Sequence, residues 1–181
     1  MTDPIAAWHT EHVYFNQLLG MLQKQLDKFH RGDQPNYELM LDIVSYLRDY
    51  SDTFHHPRED VAFARLAAKC PDMELILARL EQEHRVIAHA GDVLRNLIQG
   101  VVDGSVIPRA EVEVAAATYL VYYGNHIAKE EEDVLTRAAG VLTKEDWEQV
   151  RTAVKPGRDP LFGGAAEERY RELRRQIALE A

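Results

Sequence analysis

Four prolines, each followed by a long stretch in which apolar residues recur every three or four positions, constrain the fold of this chain most. Each proline fits the first turn of a helix. They lie in Asp3-Pro4, Pro35-Asn36, Cys70-Pro71-Asp72 and Ile107-Pro108. Each of the four segments is followed by residues that favour the end of a helix: Gly32-Asp33, Lys69-Cys70, Gly100 to Gly104 and Gly140. The pattern predicts four helical segments of about 30 residues, roughly 45 Å each at 1.5 Å per residue.

Each apolar stripe also contains a histidine, and two of the stripes contain a glutamate one turn later. Because a stripe faces the core, these polar side chains are predicted to point inward. The inward polar residues are His12 in the first segment, His55 and Glu59 in the second, His84 in the third, and His126 and Glu130 in the fourth.

Four amphipathic segments of similar length, joined by short connections, pack most simply as an antiparallel up-down-up-down four-helix bundle. The predicted fold class is therefore all-α, with residues 1–140 forming the bundle. Residues 141–181 are predicted to form short C-terminal helices packed on it. A capping box at Thr143 to Asp146 opens one helix, Ala166 to Leu179 forms another, and a loop from Pro156 to Pro160 separates them. This extension is expected to act as a lid or flank, or to form a homodimer contact.

The two inward glutamates are the main reason to predict a metal site. Burying Glu59 and Glu130 as anions without compensation would cost several kcal/mol each. No lysine or arginine recurs on the same stripes to pair with them, so a multivalent cation is the expected source of positive charge. His55 and Glu59, like His126 and Glu130, are four residues apart, which lets each pair converge on one site from a single helix.

The donor set narrows the choice of metal. Imidazole and carboxylate ligands without thiolate suit iron, manganese or zinc. Six inward groups exceed what one tetrahedral zinc requires, so two metals bridged by carboxylates fit better. Cys70 is the single cysteine of the chain, which excludes an internal disulfide and a Cys-rich metal site and fits a reducing cytoplasm.

The residues around these positions resemble the hemerythrin-like (HHE cation-binding) family over residues 1 to about 140. The resemblance rests on His12 in Trp8 to His12, His55 with Glu59 in His55 to Asp60, His84 after Glu83, and His126 with Glu130 in His126 to Glu131. It implies a four-helix bundle with these six residues as metal ligands. It also implies two non-haem iron ions with oxo or hydroxo bridges, and a small ligand such as dioxygen, peroxide or nitric oxide.

One position departs from the oxygen-carrying members of that family. These have a second histidine one turn after the ligand on the third helix, where this chain has Ala88. His89 is the nearest substitute, but on an ideal helix it is turned about 140° from His84. Tyr123, one turn before His126, is the other candidate to complete the site. His56 adjoins a predicted ligand but lies off the stripe, so it is expected to face solvent or to support a ligand.

Net charge argues against a nucleic-acid partner. The chain has 30 acidic and 21 basic residues and a net charge of −9, so the basic field that drives nucleic-acid affinity is absent. The longest apolar stretch, Val114 to Tyr123, is too short to cross a bilayer, and no secretion signal is recognised at Met1 to Pro4. No membrane role is predicted.

Three functions stay open from the sequence. The leading one is a cytoplasmic di-iron protein that binds or reacts with dioxygen, peroxide or nitric oxide, in sensing, storage or detoxification. The second is a regulatory module in which iron occupancy orders the bundle or the tail and so controls a partner. The third is an enzyme with peroxidase or catalase-like turnover, suggested by the open position at Ala88.

Overall fold

The computed structural model describes residues 3–155 and 157–180, and all regular secondary structure in these ranges is helical. The prediction of an all-α fold is confirmed. Four residues lie outside the described ranges: Met1, Thr2, Pro156 and Ala181. The first residue of the loop predicted from Pro156 to Pro160 is therefore not described. The helices are α1 (Pro4–His30), α2 (Tyr37–Tyr46), α3 (His56–Lys69), α4 (Glu74–Val102), α5 (Arg109–Lys129), α6 (Leu135–Val141), α7 (Lys144–Ala153) and α8 (Arg171–Glu180).

The helix starts follow from local capping. Asp3 accepts a hydrogen bond from the Ile5 N–H at 3.1 Å, and Asn36 accepts one from the Leu39 N–H at 3.0 Å, so both satisfy donors that have no partner within the helix. After α1 and α4 the backbone turns at Gly32 and at Gly104, with φ of 78° and 84°, values that favour glycine. The observed helices begin and end close to the predicted boundaries, but Pro35 and Pro108 lie just before α2 and α5 and not in their first turns.

Two π-helical segments, which the sequence pattern did not predict, interrupt the second and fourth helical segments. They span Leu47–His55 and Glu130–Val134. The N–H of His56 donates to the Ser51 carbonyl, and that of Leu135 donates to the Glu130 carbonyl, so each bond spans five residues instead of four. A π-turn holds an extra residue and shifts the phase of the side chains that follow it. Both segments begin or end at a predicted ligand.

Buried apolar side chains form two clusters. Each of the four helical segments contributes residues to both clusters, at different positions along its length. The Trp8 cluster includes Trp8, Ala62, Leu80 and Val134, and the Phe15 cluster includes Phe15, Tyr50, Ile87 and Tyr123. In each segment the predicted site residues lie between a member of one cluster and a member of the other. The Trp8 cluster comes first along the chain in the first and third segments, and the Phe15 cluster comes first in the second and fourth.

Helix α7 begins at the predicted capping box. The Thr143 hydroxyl accepts from the Asp146 N–H, and the Asp146 carboxylate accepts from the Thr143 N–H at 2.8 Å. Asp146 also pairs with Lys69 at the end of α3. The indole of Trp147 meets the indole of Trp8 edge to face at 5.2 Å between centroids. Helix α7 therefore packs beside α1 and α3.

The remaining tail packs against α1 and α2. The Tyr46 hydroxyl donates to Asp159 at 2.9 Å, and the ring of Phe162 stacks on Tyr14 at 4.0 Å. Leu161 and Leu173 are fully buried in the Phe15 cluster. Within residues 3–155 and 157–180, no helix has the length and apolar character needed to span a membrane.

Candidate metal centre

The four helical segments bring all six predicted site residues into one buried cluster between the two apolar clusters. His84 is the most accessible of the six at 5% exposure, and the others are at most 1% exposed. Their positions follow from the helical stripes on which they lie.

One half of the cluster is built around His12 and His55. Their Nε2 atoms are 3.0 Å apart. The Oε1 atom of Glu59 lies 3.0 Å from His55 Nε2 and 3.3 Å from His12 Nε2. Glu130 adds its Oε2 atom, 3.4 Å from His12 Nε2. Two imidazole nitrogens and one oxygen from each glutamate therefore converge in this half.

The other half contains His84 and His126. The second oxygen of Glu59, Oε2, lies 3.4 Å from His84 Nε2. The second oxygen of Glu130, Oε1, lies 3.1 Å from His126 Nε2 and 3.6 Å from His84 Nε2. Each glutamate thus turns one carboxylate oxygen toward each pair of imidazoles.

The outer nitrogen of every one of these imidazoles meets a carboxylate. The pairs are His12 Nδ1 with Glu131 at 2.7 Å, His55 Nδ1 with Glu11 at 2.5 Å, His84 Nδ1 with Asp60 at 2.7 Å, and His126 Nδ1 with Glu83 at 3.2 Å. A carboxylate that accepts a hydrogen bond from Nδ1–H leaves the Nε2 lone pair directed inward, which is how metal-binding histidines are commonly held. Glu11 itself is held by Arg58 and Tyr50.

The inward-facing atoms lack the partners that buried polar atoms normally have. Neither carboxylate oxygen of Glu59 or Glu130 has a hydrogen-bond partner among the described residues, and the same holds for Nε2 of His84 and His126. Buried anions that lack hydrogen bonds are costly. Multivalent cations, one in each half of the cluster, would satisfy these six atoms, so the donor set and its geometry fit a metal site.

His56 also lies in this cluster, although the sequence pattern places it off the stripe. It is buried, its ring stacks on His84 at 4.3 Å, and it forms with Glu59, His84 and His126 a group whose donor atoms lie within 4.8 Å of one another. The expectation that His56 faces solvent is wrong. The preceding π-segment changes the side-chain phase, so both His55 and His56 point inward. The adjacent pair His55-His56 before Pro57 is the sequence signal that ideal α-helical spacing obscured.

The two residues considered for completing the site lie elsewhere. His89 is exposed on the outer side of α4, in a groove between α4 and α5. The Tyr123 hydroxyl is buried and hydrogen-bonds Ser51 Oγ at 2.5 Å, and the same Ser51 Oγ lies 3.3 Å from His56 Nε2. The Tyr123 ring lies 5.6 Å from that of His56. Neither side chain is directed at the inward-facing atoms of the six predicted ligands.

The two buried carboxyl groups have low pKa values despite their surroundings. Burial raises the pKa of Glu59, but the charge of His55 and other imidazoles outweighs it, and the pKa lies well below its ordinary value. For Glu130, burial and the charge of Glu59 raise the pKa, while the charges of His126 and the other imidazoles lower it to about 2. Both side chains are anions at neutral pH.

The pKa values of the buried imidazoles are shifted in two opposite directions. Burial lowers the pKa of His55 and of His84, yet the carboxylates near each raise it, to about 9 for His55 and to about 12 for His84. Burial and the charge of His84 lower the pKa of His56 to about 4. In the metal-free chain, protons on imidazoles thus supply part of the positive charge that the glutamates require. A metal ion would displace these protons.

The described residues thus combine an all-helical fold with a buried cluster of histidines and glutamates, a combination typical of helical metal-binding proteins. Residues 3–138 match the family model of the hemerythrin HHE cation-binding domain. The chain belongs to this family, as the sequence resemblance indicated. No curated protein and no solved structure matches it.

Proposed function

We propose that this chain is a di-iron protein in which Glu59 and Glu130 bridge two metal ions. His12 and His55 would hold one ion, and His84 and His126 the other. The carboxylate geometry carries the proposal, because each glutamate directs one oxygen to each imidazole pair and none of the four oxygens has a hydrogen-bond partner among the described residues. His56 would be a further donor beside His84.

The choice of iron rests on the donor types and on the family. Imidazole and carboxylate donors suit iron, manganese and zinc, and the family resemblance favours two irons with oxo or hydroxo bridges. The number of inward donors also exceeds the four of one tetrahedral ion. Carboxylates that face two separate imidazole pairs favour two ions over one.

The surroundings of the cluster favour a small ligand. Bound iron supplies the capacity to take up or react with dioxygen, peroxide or nitric oxide. The chain itself encloses the site between two apolar clusters and leaves at most 5% of any predicted ligand exposed, so bulk water is excluded. Glu131, Glu11, Asp60 and Glu83 hold the Nδ1 protons and fix the imidazole planes.

Metal content tests the proposal directly. The full chain is produced with iron supplied, purified without chelator, and analysed for elemental content and near-ultraviolet absorption. About two irons per chain and an oxo-to-iron charge-transfer band are expected. A matched control is His30→Ala, because His30 is an exposed histidine that pairs with Glu113 on the surface, whereas His126→Ala should lose metal. If the unmodified chain is purified without any bound metal, the proposal is overturned.

The arrangement of the segments is part of the same proposal. We infer that residues 1–140 form an antiparallel up-down-up-down bundle and that residues 141–181 are an extension packed on it. The alternating order of the Trp8 and Phe15 clusters along successive segments supports this topology. The single cysteine, which is buried and free, fits a cytoplasmic location, and a homodimer contact through the extension stays a prediction.

A regulatory role for the tail is a second candidate, favoured by one continuous set of contacts. Asp159 in the tail accepts from Tyr46, whose ring stacks on Tyr50 at 5.6 Å. The Tyr50 hydroxyl donates to Glu11 at 2.9 Å, and Glu11 accepts from the predicted ligand His55. Metal binding that tightens His55 and Glu11 would therefore stabilise the docked tail.

Limited trypsin digestion with and without metal tests the regulatory candidate. Cleavage after Arg158 and Arg169 in the tail should slow when metal is bound, while cleavage after the exposed Arg31 should not change. In Tyr46→Phe, which removes the hydrogen bond to Asp159, the effect of metal on tail cleavage should disappear. Equal cleavage of the tail with and without metal in the unmodified chain would exclude this role.

A further inference from the structure

Helix α5 has an outer face that is uncharged over most of its length. From Val114 to Ala128 the chain contains no aspartate, glutamate, lysine or arginine, yet Val114, Val121 and Tyr122 are 65%, 60% and 46% exposed. A helix that is apolar all round is normally buried. We propose that this face packs against the same face of a second copy of the chain, with the two α5 helices antiparallel about a two-fold axis. The contact does not depend on the proposed metal function.

The adjoining edge of α4 extends this surface. Val93 on α4 is 41% exposed and lies with Val114 along the groove between the two helices. Four of the nine large apolar side chains that are exposed among the described residues therefore lie on one surface: Val93, Val114, Val121 and Tyr122, which we call the α5 face. Single exposed apolar residues are common on proteins, but a concentration of them marks an interaction site.

The charges at the two ends of the α5 face decide for a second copy. Glu111 and Lys129 are both exposed and are eighteen residues apart, about five turns at 3.6 residues per turn, so they lie on the same side of α5. In an antiparallel two-fold pair, one side of a helix meets the same side of its partner at the opposite end. Glu111 of each copy would then lie opposite the partner's Lys129, whereas a parallel pair would bring like charges together. One surface thus supplies both members of each ion pair, as a contact between identical copies requires.

The size and centre of the face suit such a contact. Midway between the two charges, the exposed Thr118 and Tyr122 would meet the partner's Tyr122 and Thr118, and tyrosine is a residue that interfaces favour. The 21 residues of α5 span about 30 Å, and with the edge of α4 the face is about 20 Å wide. The flat area of about 600 Å2, which side chains enlarge, reaches the lower end of what each partner buries in a stable interface.

The surroundings of the α5 face disfavour a membrane surface. Amphipathic surfaces that bind anionic lipids are flanked by lysine and arginine. Here Glu111 and Glu113 lie near one end and Glu132 near the other, in a chain of net charge −9. Lys129 is a basic residue at the second end, and it already pairs with Asp133 of its own chain.

Sedimentation equilibrium of the full chain, metal-free and metal-loaded, tests the association over about 1 to 100 μM. A reversible rise to twice the mass of one chain is expected in both forms. The mass of a single chain throughout this range would overturn the proposal. A chain that dimerises but binds no metal would refute only the proposed function.

Charge reversal tests the antiparallel arrangement. Glu111→Lys and Lys129→Glu each place like charges opposite each other at two symmetric positions, and each should raise the Kd of the dimer about tenfold. The double variant exchanges the charges and should return the Kd to that of the unmodified chain. A double variant that dimerises as weakly as the single ones would refute this arrangement.

Two further variants locate the contact. Val121→Glu places a charge at the centre of the α5 face and should yield monomers with an unchanged circular dichroism spectrum. Leu179→Glu alters an apolar residue of the extension that is 72% exposed and should leave the dimer intact. A dimer kept in Val121→Glu and lost in Leu179→Glu would place the contact on the extension and refute the proposal. Co-sedimentation of the unmodified chain with phosphatidylserine vesicles, lost in Val121→Glu, would instead assign the face to a membrane.

Discussion

The Nε2 atoms of His12 and His55 face each other at 3.0 Å, while the Nδ1 atom of each meets a carboxylate. Because both Nδ1 atoms donate outward, each neutral imidazole would present only a lone pair inward. Two lone pairs at this distance repel each other unless a cation lies between or beside them. That cation is a proton in the metal-free chain and, in our proposal, a metal ion in the loaded one.

Metal removal should lower the stability of the fold. Metal binds the folded chain but finds no preformed site in the unfolded one, so chelation is expected to lower the unfolding free energy by about 4 kcal/mol when free metal had been at about a thousand times Kd. Thermal unfolding before and after chelation and dialysis measures this. Identical melting temperatures in the two samples would argue against a buried metal.

Replacing Glu59 by glutamine should remove metal from both halves of the cluster. The Glu59 oxygens face different imidazole pairs, so loss of its charge affects two ions. Elemental analysis of Glu59→Gln is expected to give well under half of the metal bound by the unmodified chain. Glu132→Gln is the matched control, since Glu132 is exposed on the same helical segment as Glu130. A Glu59→Gln chain with full metal content would contradict the bridging role.

Replacing Glu11 by glutamine should weaken metal binding although Glu11 does not face the metal cluster. The carboxylate of Glu11 fixes His55 through Nδ1, and its pKa is lowered to about 2, because the charges of His55 and Arg58 outweigh the effect of burial. Loss of such a partner typically reduces metal affinity by about 10- to 100-fold. Competition with a metal-binding dye measures the affinity. An unchanged affinity would mean that His55 keeps its orientation without Glu11.

Replacing Tyr123 by phenylalanine should leave metal content unchanged. Its hydroxyl hydrogen-bonds Ser51 within the core, so its loss is expected to cost about 1 kcal/mol of stability but no metal ligand. Urea unfolding and elemental analysis of Tyr123→Phe separate the two effects. Loss of one metal ion per chain from this variant would show that Tyr123 is a ligand after all.

The carboxyl group of Asp146 should make the free energy of unfolding depend on pH below about pH 4. Hydrogen bonds from Lys69 and Thr143, together with the charge of Lys69, hold the pKa of this carboxyl well below its ordinary value, against a smaller opposing effect of burial. Because the folded pKa is depressed, the stabilisation is complete above the unfolded pKa near 4 and is lost as pH falls below it.

Urea unfolding of the chain and of Asp146→Asn at several pH values tests this dependence. The variant should be less stable by about 1 kcal/mol at pH 7, from the weakened capping box, and the difference should shrink toward pH 3. A difference that is constant between pH 7 and pH 3 would show that the charge of Asp146 does not contribute.

The helices and the set of inward residues followed from local signals. Prolines, caps and apolar stripes depend on residues within one or two turns, so Asp3, Asn36 and the Thr143 capping box could be recognised without tertiary information. The inward direction of His12, His84 and His126 followed from the same periodicity. Glu11 and Glu83 directly precede His12 and His84 in the chain, yet they hold His55 and His126, so adjacency in the sequence does not predict these pairs.

The sequence alone thus determined the helical class, the segment ends and which polar side chains face the core, since these depend on short-range periodicity and capping. The tertiary structure decided that His56 joins the cluster, that Tyr123 turns to Ser51, and which distant carboxylate holds each imidazole. These features depend on the phase shift at the π-segment and on side chains as far apart as His12 and Glu131. No local pattern encodes such distances, because packing between helices brings these residues together.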